Sequence, residues 1–163
     1  MKHAIAVLAF AAALGGCVTV MSPQMRVAFS ATVDDALQKS PADLKAQADT
    51  GQARAQLSYS IVLRYGLNGT PVDVAAADHY RALAIAQRGT TTTAIYVPGY
   101  AKVPASTELV DIPVYDVPLG AAIVAEACAA ALATPPGQAQ DVDACGGADN
   151  TARLSALWKA ATK

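Results

Sequence analysis

The sequence predicts a mainly helical domain, an antiparallel αα-hairpin with flanking helices and one short extended or β-hairpin insertion, and three observations carry that prediction. Alanine fills 38 of 163 positions, whereas Leu, Ile, Val and Phe together fill 36. Much of the 53% hydrophobic content is therefore methyl groups, which suit closely packed helices. Apolar residues recur near every fourth position through 52–65 and again through 74–88, the period of one helix face. Between 90 and 118, β-branched and aromatic residues replace alanine, and prolines at 98, 104, 113 and 118 bar a central strand. The length suits one domain with a modest core. No apolar run approaches the roughly 20 residues of a spanning helix, which excludes a multi-span membrane protein. With 15% charged residues and a net charge of −1, the chain lacks the basic surplus that a nucleic-acid backbone demands, so no nucleic-acid partner is expected.

The elements follow in order from local signals. Residues 17–30, with Ser22, Pro23, Gln24 and Ser30 among scattered apolar residues, read as a short tether, and a single domain is expected over 31–163. A helix can begin within 31–37. Ser40-Pro41-Ala42-Asp43 is a sharper start: Ser40 suits an N-cap, Pro41 stands where its missing N–H costs nothing, and Asp43 faces the positive helix end. That helix covers Pro41–Asp49 and stops near Thr50-Gly51. In 52–65, Ala53, Leu57, Ile61 and Tyr65 form a stripe that Ala55, Tyr59, Val62 and Leu63 widen. The run from Gly66 to Pro71 breaks this helix, and Asp73 is placed to cap the next over 74–88, with Val74, Ala77, Tyr80, Arg81, Ala84 and Ile85 along one side. A loop of about seven residues makes the two helices antiparallel neighbours. Two more helices are expected at 119–133 and 150–162, the latter with Leu154, Leu157 and Trp158 at core spacing.

The insertion 90–118 reads as a twisted two-stranded hairpin or an extended arm. Its Tyr96, Tyr100 and Tyr115 either anchor a partner, as tyrosine does at binding hot spots, or simply cover the helical core.

The first 16 residues have the layout of a secretory signal: positive Lys2 and His3, an apolar run from Ala4 to Leu14, then Gly15-Gly16. With Leu14-Gly15-Gly16-Cys17 the chain resembles bacterial lipoproteins, whose lipobox places a cysteine after two small residues. The resemblance implies cleavage before Cys17 and acylation of Cys17 by palmitate-type chains. Two or three acyl chains together hold a protein to a bilayer where one would not. In such lipoproteins an aspartate after the cysteine favours the inner membrane; Val18-Thr19 carries none. The expected place is thus the outer membrane, lipid-anchored, with the domain facing the periplasm.

Assigning Cys17 to lipid leaves Cys128 and Cys145 as an even pair in an oxidising compartment, where a disulfide is favoured. The alternative, a metal site, lacks ligands: His79 is the only histidine after the signal, and the two thiols lack paired spacing. Asp141-x-Asp143-x-Cys145-Gly146 opens like a calcium loop, but cysteine takes the third ligand position and Ala152 the twelfth, so calcium is rejected. There is no Gly-x-Ser-x-Gly elbow and no phosphate-cradling glycine motif. No catalytic residue, metal or cofactor is expected, and the chain is not expected to be an enzyme.

The span from Gly51 to Gly89 is similar to a Sel-one-like repeat, a relative of the tetratricopeptide repeats. The run from Gly51 to Gly66 looks like its first helix, Gly69, Pro71 and Asp73 match its loop, and Ala77, Tyr80, Ala84 and Gly89 continue the pattern into the second helix. Ser60 stands where the family usually has glycine, and the loop and second helix each carry one residue more. The resemblance implies a helical hairpin that stacks with its neighbours into a concave protein-binding groove. Arg54, Arg64, Arg81 and Arg88, with Tyr59 and Tyr80, are the expected groove residues; the four arginines are expected to give the groove local positive potential, and solvated helix faces are the alternative. The function expected is an adaptor or scaffold for envelope proteins. A structural or stress-related lipoprotein without a dedicated partner is the second reading, and an enzyme of unrecognised type the third. Cys17→Ser is expected to abolish labelling by radioactive palmitate and to leave the precursor uncleaved, as read on a gel of labelled cells.

Overall fold

The structure is a computed structural model that describes residues 22–100, 102–135 and 138–163; Cys17 and the signal lie outside them. It is mainly helical, with six α-helices among the described residues and one two-stranded antiparallel sheet. The helices are α1 (Pro23–Gln38), α2 (Pro41–Asp49), α3 (Ala53–Tyr65), α4 (Val74–Ala84), α5 (Leu119–Leu132) and α6 (Ala148–Ala161). The strands β1 (Gln87–Val97) and β2 (Ser106–Tyr115) lie between α4 and α5.

The N-terminal segment departs from expectation. The tether read over 17–30 is already helical from Pro23, because the Ser22 hydroxyl accepts the Met25 N–H at 3.3 Å and proline opens the helix. Ser22-Pro23 thus works as Ser40-Pro41 does, where the Ser40 hydroxyl accepts the Asp43 N–H at 3.1 Å. The extra turns of α1 are not idle. Arg26 donates to the Asp143 carbonyl at 2.9 Å, and Ser30 is buried.

α3 starts and stops where its pattern predicts, but it is enclosed rather than one-sided: every residue from Ala55 to Leu63 is buried. It packs against α1, α2, α4 and α5. Gly66 ends it with φ 65°, and a Cβ there would meet the Val72 side chain at 2.9 Å and the Thr70 carbonyl at 3.2 Å. A left-handed glycine cap lets the loop fold back tightly. Asp73 then caps α4 by accepting the Ala76 N–H at 2.9 Å. Contacts between Tyr59 and Tyr80, between Arg64 and Asp78, and between Arg88 and the Gly51 carbonyl run in opposite chain directions, so α3 and α4 are antiparallel.

α4 is shorter than the pattern over 74–88 predicts. It closes at Ala84, and the chain pairs as a strand from Gln87, opposite Tyr115. Arg88 therefore belongs to β1. Val74 is exposed, although Ala77 and Ala84 on the same helix are fully buried. The insertion is a hairpin in continuous register from Gly89↔Val114 to Val97↔Ser106. It packs chiefly on itself. Tyr96, Tyr100 and Tyr115 are all exposed, so none of them covers the helical core.

α5 and α6 complete the body. α5 buries Ala121, Ala122, Val124, Ala125, Cys128 and Ala129 against α1, while α6 contributes Leu154 and Trp158. Cys128 and Cys145 are joined as a disulfide with Cα atoms 4.7 Å apart, inside the range that a bridge needs. The Asp141 carboxylate, the first position of the rejected calcium loop, accepts the Asp143 and Ala144 N–H groups at 3.0 and 3.3 Å and shapes the turn that presents Cys145. The bridge closes a loop of 17 residues. Replacing both cysteines with alanine is expected to cost about 3 kcal/mol by the chain-entropy argument, measurable as a lower denaturant midpoint at unchanged slope.

Candidate functional site

Three helices converge on one cleft of about 400 Å³, lined by Ser60, Ile61, Arg64 and Tyr65 of α3, Asp78 and Arg81 of α4, and Glu126, Ala129 and Ala130 of α5. The helical period sets its members: Ile61, Arg64 and Tyr65 occupy one side of α3, and Asp78 and Arg81 stand one turn apart on α4. Small residues at Ser60, Ala129 and Ala130 leave the space. Ser60, where the repeat pattern has glycine, donates its hydroxyl to the Leu57 carbonyl of its own helix at 2.7 Å.

Charge in the cleft is balanced. Arg64 pairs with Asp78, and Arg81 grips Glu126 through two N–H groups, one of them at 3.1 Å, tying α4 to α5. The Glu126 carboxylate raises the Arg81 guanidinium further above its ordinary range, against a smaller opposing effect of burial, so Arg81 stays charged. Burial raises the Tyr65 phenol above 10.0; Arg64 opposes this and Glu126 adds to it, so Tyr65 enters the cleft as a neutral hydroxyl. Its ring packs edge-on against Trp158 at 5.1 Å. A guanidinium carries five N–H donors, more than these ion pairs use, so Arg64 and Arg81 can still donate to a ligand carbonyl or carboxylate.

Of the six expected groove residues, the structure brings only Arg64 and Arg81 together in this cleft. Arg54 lies on a separate shallow site beside Phe29 and Val117, with its guanidinium on Asp35 at 2.7 Å and on the Ala31 carbonyl at 3.1 Å. Arg88 sits at the hairpin base, bound to Asp116 at 2.8 Å. Tyr59 is buried and meets the Tyr80 ring edge-on at 5.0 Å. Tyr80 reaches Asp49 with its hydroxyl at 2.7 Å. A groove of positive potential is thus not what these residues form: each of the four arginines has a carboxylate partner from outside its own element. Spacing on one helix could not disclose Asp35, Glu126 or Asp116. Glu126 and Tyr65 are the functional candidates that sequence reasoning passed over. Glu126 had a signal, being the only charged residue in an otherwise apolar α5.

His79 is exposed and touches the Tyr80 ring at 5.5 Å, away from the residues that line the cleft. Among the described residues no three His, Cys, Asp or Glu side chains gather as a metal centre requires. Compared with protein-family models, curated proteins and solved structures, the chain matches none of them.

A second cluster joins α2, α4 and solvent. Lys45 donates to the Asp49 carboxylate at 2.6 Å, and Tyr80 donates to its other oxygen. The hydrogen bonds from Lys45 and then Tyr80 hold Asp49 below its ordinary 3.8. A carboxyl depressed in the folded state contributes stability above its unfolded value, and that contribution is lost as pH falls through the folded value. Stability is therefore expected to decline as pH drops from about 4, and Asp49→Asn to flatten that decline; denaturant midpoints at about pH 5 and pH 3 measure both.

Proposed function

We propose that the chain is an outer-membrane lipoprotein whose Sel-one-like helical domain faces the periplasm and acts as a protein-interaction module, an adaptor or scaffold among envelope proteins. The observation that carries the reading is the cleft between the α3–α4 hairpin and α5. It has an apolar floor in Ile61 and Ala129 and a rim of two fixed ion pairs, Arg64–Asp78 and Arg81–Glu126. Such a surface suits an extended peptide of another protein: guanidinium N–H groups remain for its carbonyls, carboxylates for its N–H groups, and the floor for one small apolar side chain. The ion pairs hold those groups in place before the partner arrives, which lowers the ordering cost of binding.

The reading is one of binding, without catalysis. Ser60, the hydroxyl in the cleft, spends its proton on a helix carbonyl, and His79 is not beside it. Anchoring at Cys17 rests on Leu14-Gly15-Gly16-Cys17 alone, and the repeat assignment on the glycine and alanine pattern from Gly51 to Gly89.

A photo-crosslinking residue introduced in living cells at Ala130, exposed at the cleft mouth, is expected to give a discrete adduct with an envelope protein. The same residue at exposed Lys39 is expected to give none, and Arg64→Ala to reduce the Ala130 adduct severalfold. No adduct at Ala130, or equal adducts at both positions, would remove the adaptor reading.

A further inference from the structure

The hairpin is the part of the molecule that the helical body does not explain. Two strands alone are marginal in water, yet this pair runs eleven residues, about 35 Å, and packs chiefly on itself. Its apolar side chains are unevenly covered, with Ile95 41% exposed and Val97 half-buried. Ile112, Val114 and Tyr115 near the base are partly covered, whereas Tyr96 is 70% exposed, Val103 70%, Leu109 75% and Tyr100 86%.

The arrangement of these side chains limits what can cover them. Tyr96 and Leu109 lie on one face of the ladder, opposite Thr107 and Ala94, while Ile95, opposite Glu108, lies on the other. Tyr100 and Val103 stand at the turn itself. A strand added to either edge would pair backbone and leave both faces wet; a flat protein surface would cover one face only. A medium that surrounds the tip on all sides covers everything at once.

Two backbone hydrogen bonds tie Tyr100 to Val103 at the tip. Tyr100 donates to the Val103 carbonyl at 3.1 Å and Val103 returns the bond at 3.0 Å. Gly99 permits that closure, since a Cβ there would stand 2.7 Å from both the Val103 carbonyl oxygen and the Ala105 nitrogen. Each such pair lowers the cost of taking irregular chain out of water. From Gly89 to Thr107 the one charged residue is Lys102, whose long stem can carry its ammonium back to a phosphate layer. Tyrosine is the residue type that prefers the boundary between lipid tails and headgroups.

From these features we infer that the hairpin tip is a membrane-dipping element: Tyr100 and Val103 enter the interface of a lipid bilayer, with Tyr96 at its edge and Lys102 on the lipid phosphates, while Glu108, opposite Ile95, stays in water. Insertion is shallow, to the depth of the side chains at the turn. It orders the hairpin, which gains the cover that it lacks in water, and it fixes the angle of the helical body over the membrane, adding a second point of contact to any anchor at Cys17. The inference shares with the lipid-anchor reading only that the chain meets a bilayer. The two fail separately, because palmitate labelling reports Cys17 and the following measurement reports the tip.

The test uses the full chain carrying Tyr100→Trp, mixed with vesicles of phosphatidylethanolamine and phosphatidylglycerol, with the fluorescence of the unsubstituted chain, from Trp158, subtracted. The expected result is a blue shift of the introduced indole on adding vesicles and loss of most of its emission when lipids brominated near the headgroup replace the ordinary ones. Val103→Asp in the same chain is expected to abolish both changes while far-ultraviolet circular dichroism stays the same. Emission that remains water-like and open to iodide with vesicles present would overturn the inference. So would a blue shift already present without vesicles and indifferent to brominated lipid, which would mean that protein, such as a second copy, covers the tip.

Discussion

α3 is buried all round, and the placement of the other elements follows from that burial. A helix enclosed on all sides must either be apolar throughout or satisfy its polar groups from its neighbours. α3 takes the second course for its side-chain donors, although the Gln56 Oε1 stays buried without a hydrogen-bond partner. Ser58 donates to the Thr32 carbonyl of α1 at 2.9 Å, Gln56 to the Ala48 carbonyl of α2 at 3.1 Å, and Ser60 to its own turn. These bonds set the axial position of α1 and α2, because sliding either by one residue would orphan a buried donor at a cost of about 1–3 kcal/mol. α4 and α5 then enclose the opposite side, where the small side chains of Ser60, Ala129 and Ala130 leave the cleft unfilled.

The thin core explains the emphasis on covalent and polar ties elsewhere. α5 is mostly alanine and offers little area per residue, so its burial alone contributes modestly. The disulfide from Cys128 couples it to the turn 141–147. That turn is in turn held by Arg26 of α1, by the Thr151 hydroxyl on the Val142 carbonyl at 2.8 Å, and by Asn150 on the Cys145 carbonyl at 2.7 Å. The N-terminal turn of α1 thereby closes the far end of the chain. Shortening the protein to a start at residue 31 would remove that tie along with the buried Ser30.

The hairpin and the cleft divide two kinds of surface between them. The cleft is charge-balanced and built on three rigid helices, suited to selecting among polar segments. The hairpin is long, with Lys102 as the one charged residue between Gly89 and Thr107, and is rooted at its base by Arg88 on Asp116 and the Gly51 carbonyl and by the buried Val117. A lipid-held tip and a protein-held cleft would orient a partner relative to the membrane, a role that needs both surfaces on one body.

Much of this was legible in the residues. The helix pattern of 52–65, the Ser40 and Asp73 caps, the glycine stop at Gly66, the helices beginning at Leu119 and near Asn150, the extended character of 90–118 before them and the Cys128–Cys145 pairing are all local or compositional signals. Ser22-Pro23 carried the same start signal as Ser40-Pro41 and was hidden by the sparse apolar pattern behind it. What sequence could not decide is every relation between elements distant along the chain. The helical stripe of 74–88 continued on paper through Arg88, but strand pairing with Tyr115 took the last residues, since a ladder partner 28 positions away satisfies the backbone as well as another helical turn would. The four arginines read as one positive face; Asp35, Asp78, Glu126 and Asp116 neutralise them from positions that only folding brings near. Local physics determined where the chain turns and caps. Tertiary packing alone decided which charges meet, that α3 is enclosed, and that the cleft stands between Arg64, Arg81 and Glu126, because burial and ion pairing depend on neighbours that no sequence window contains.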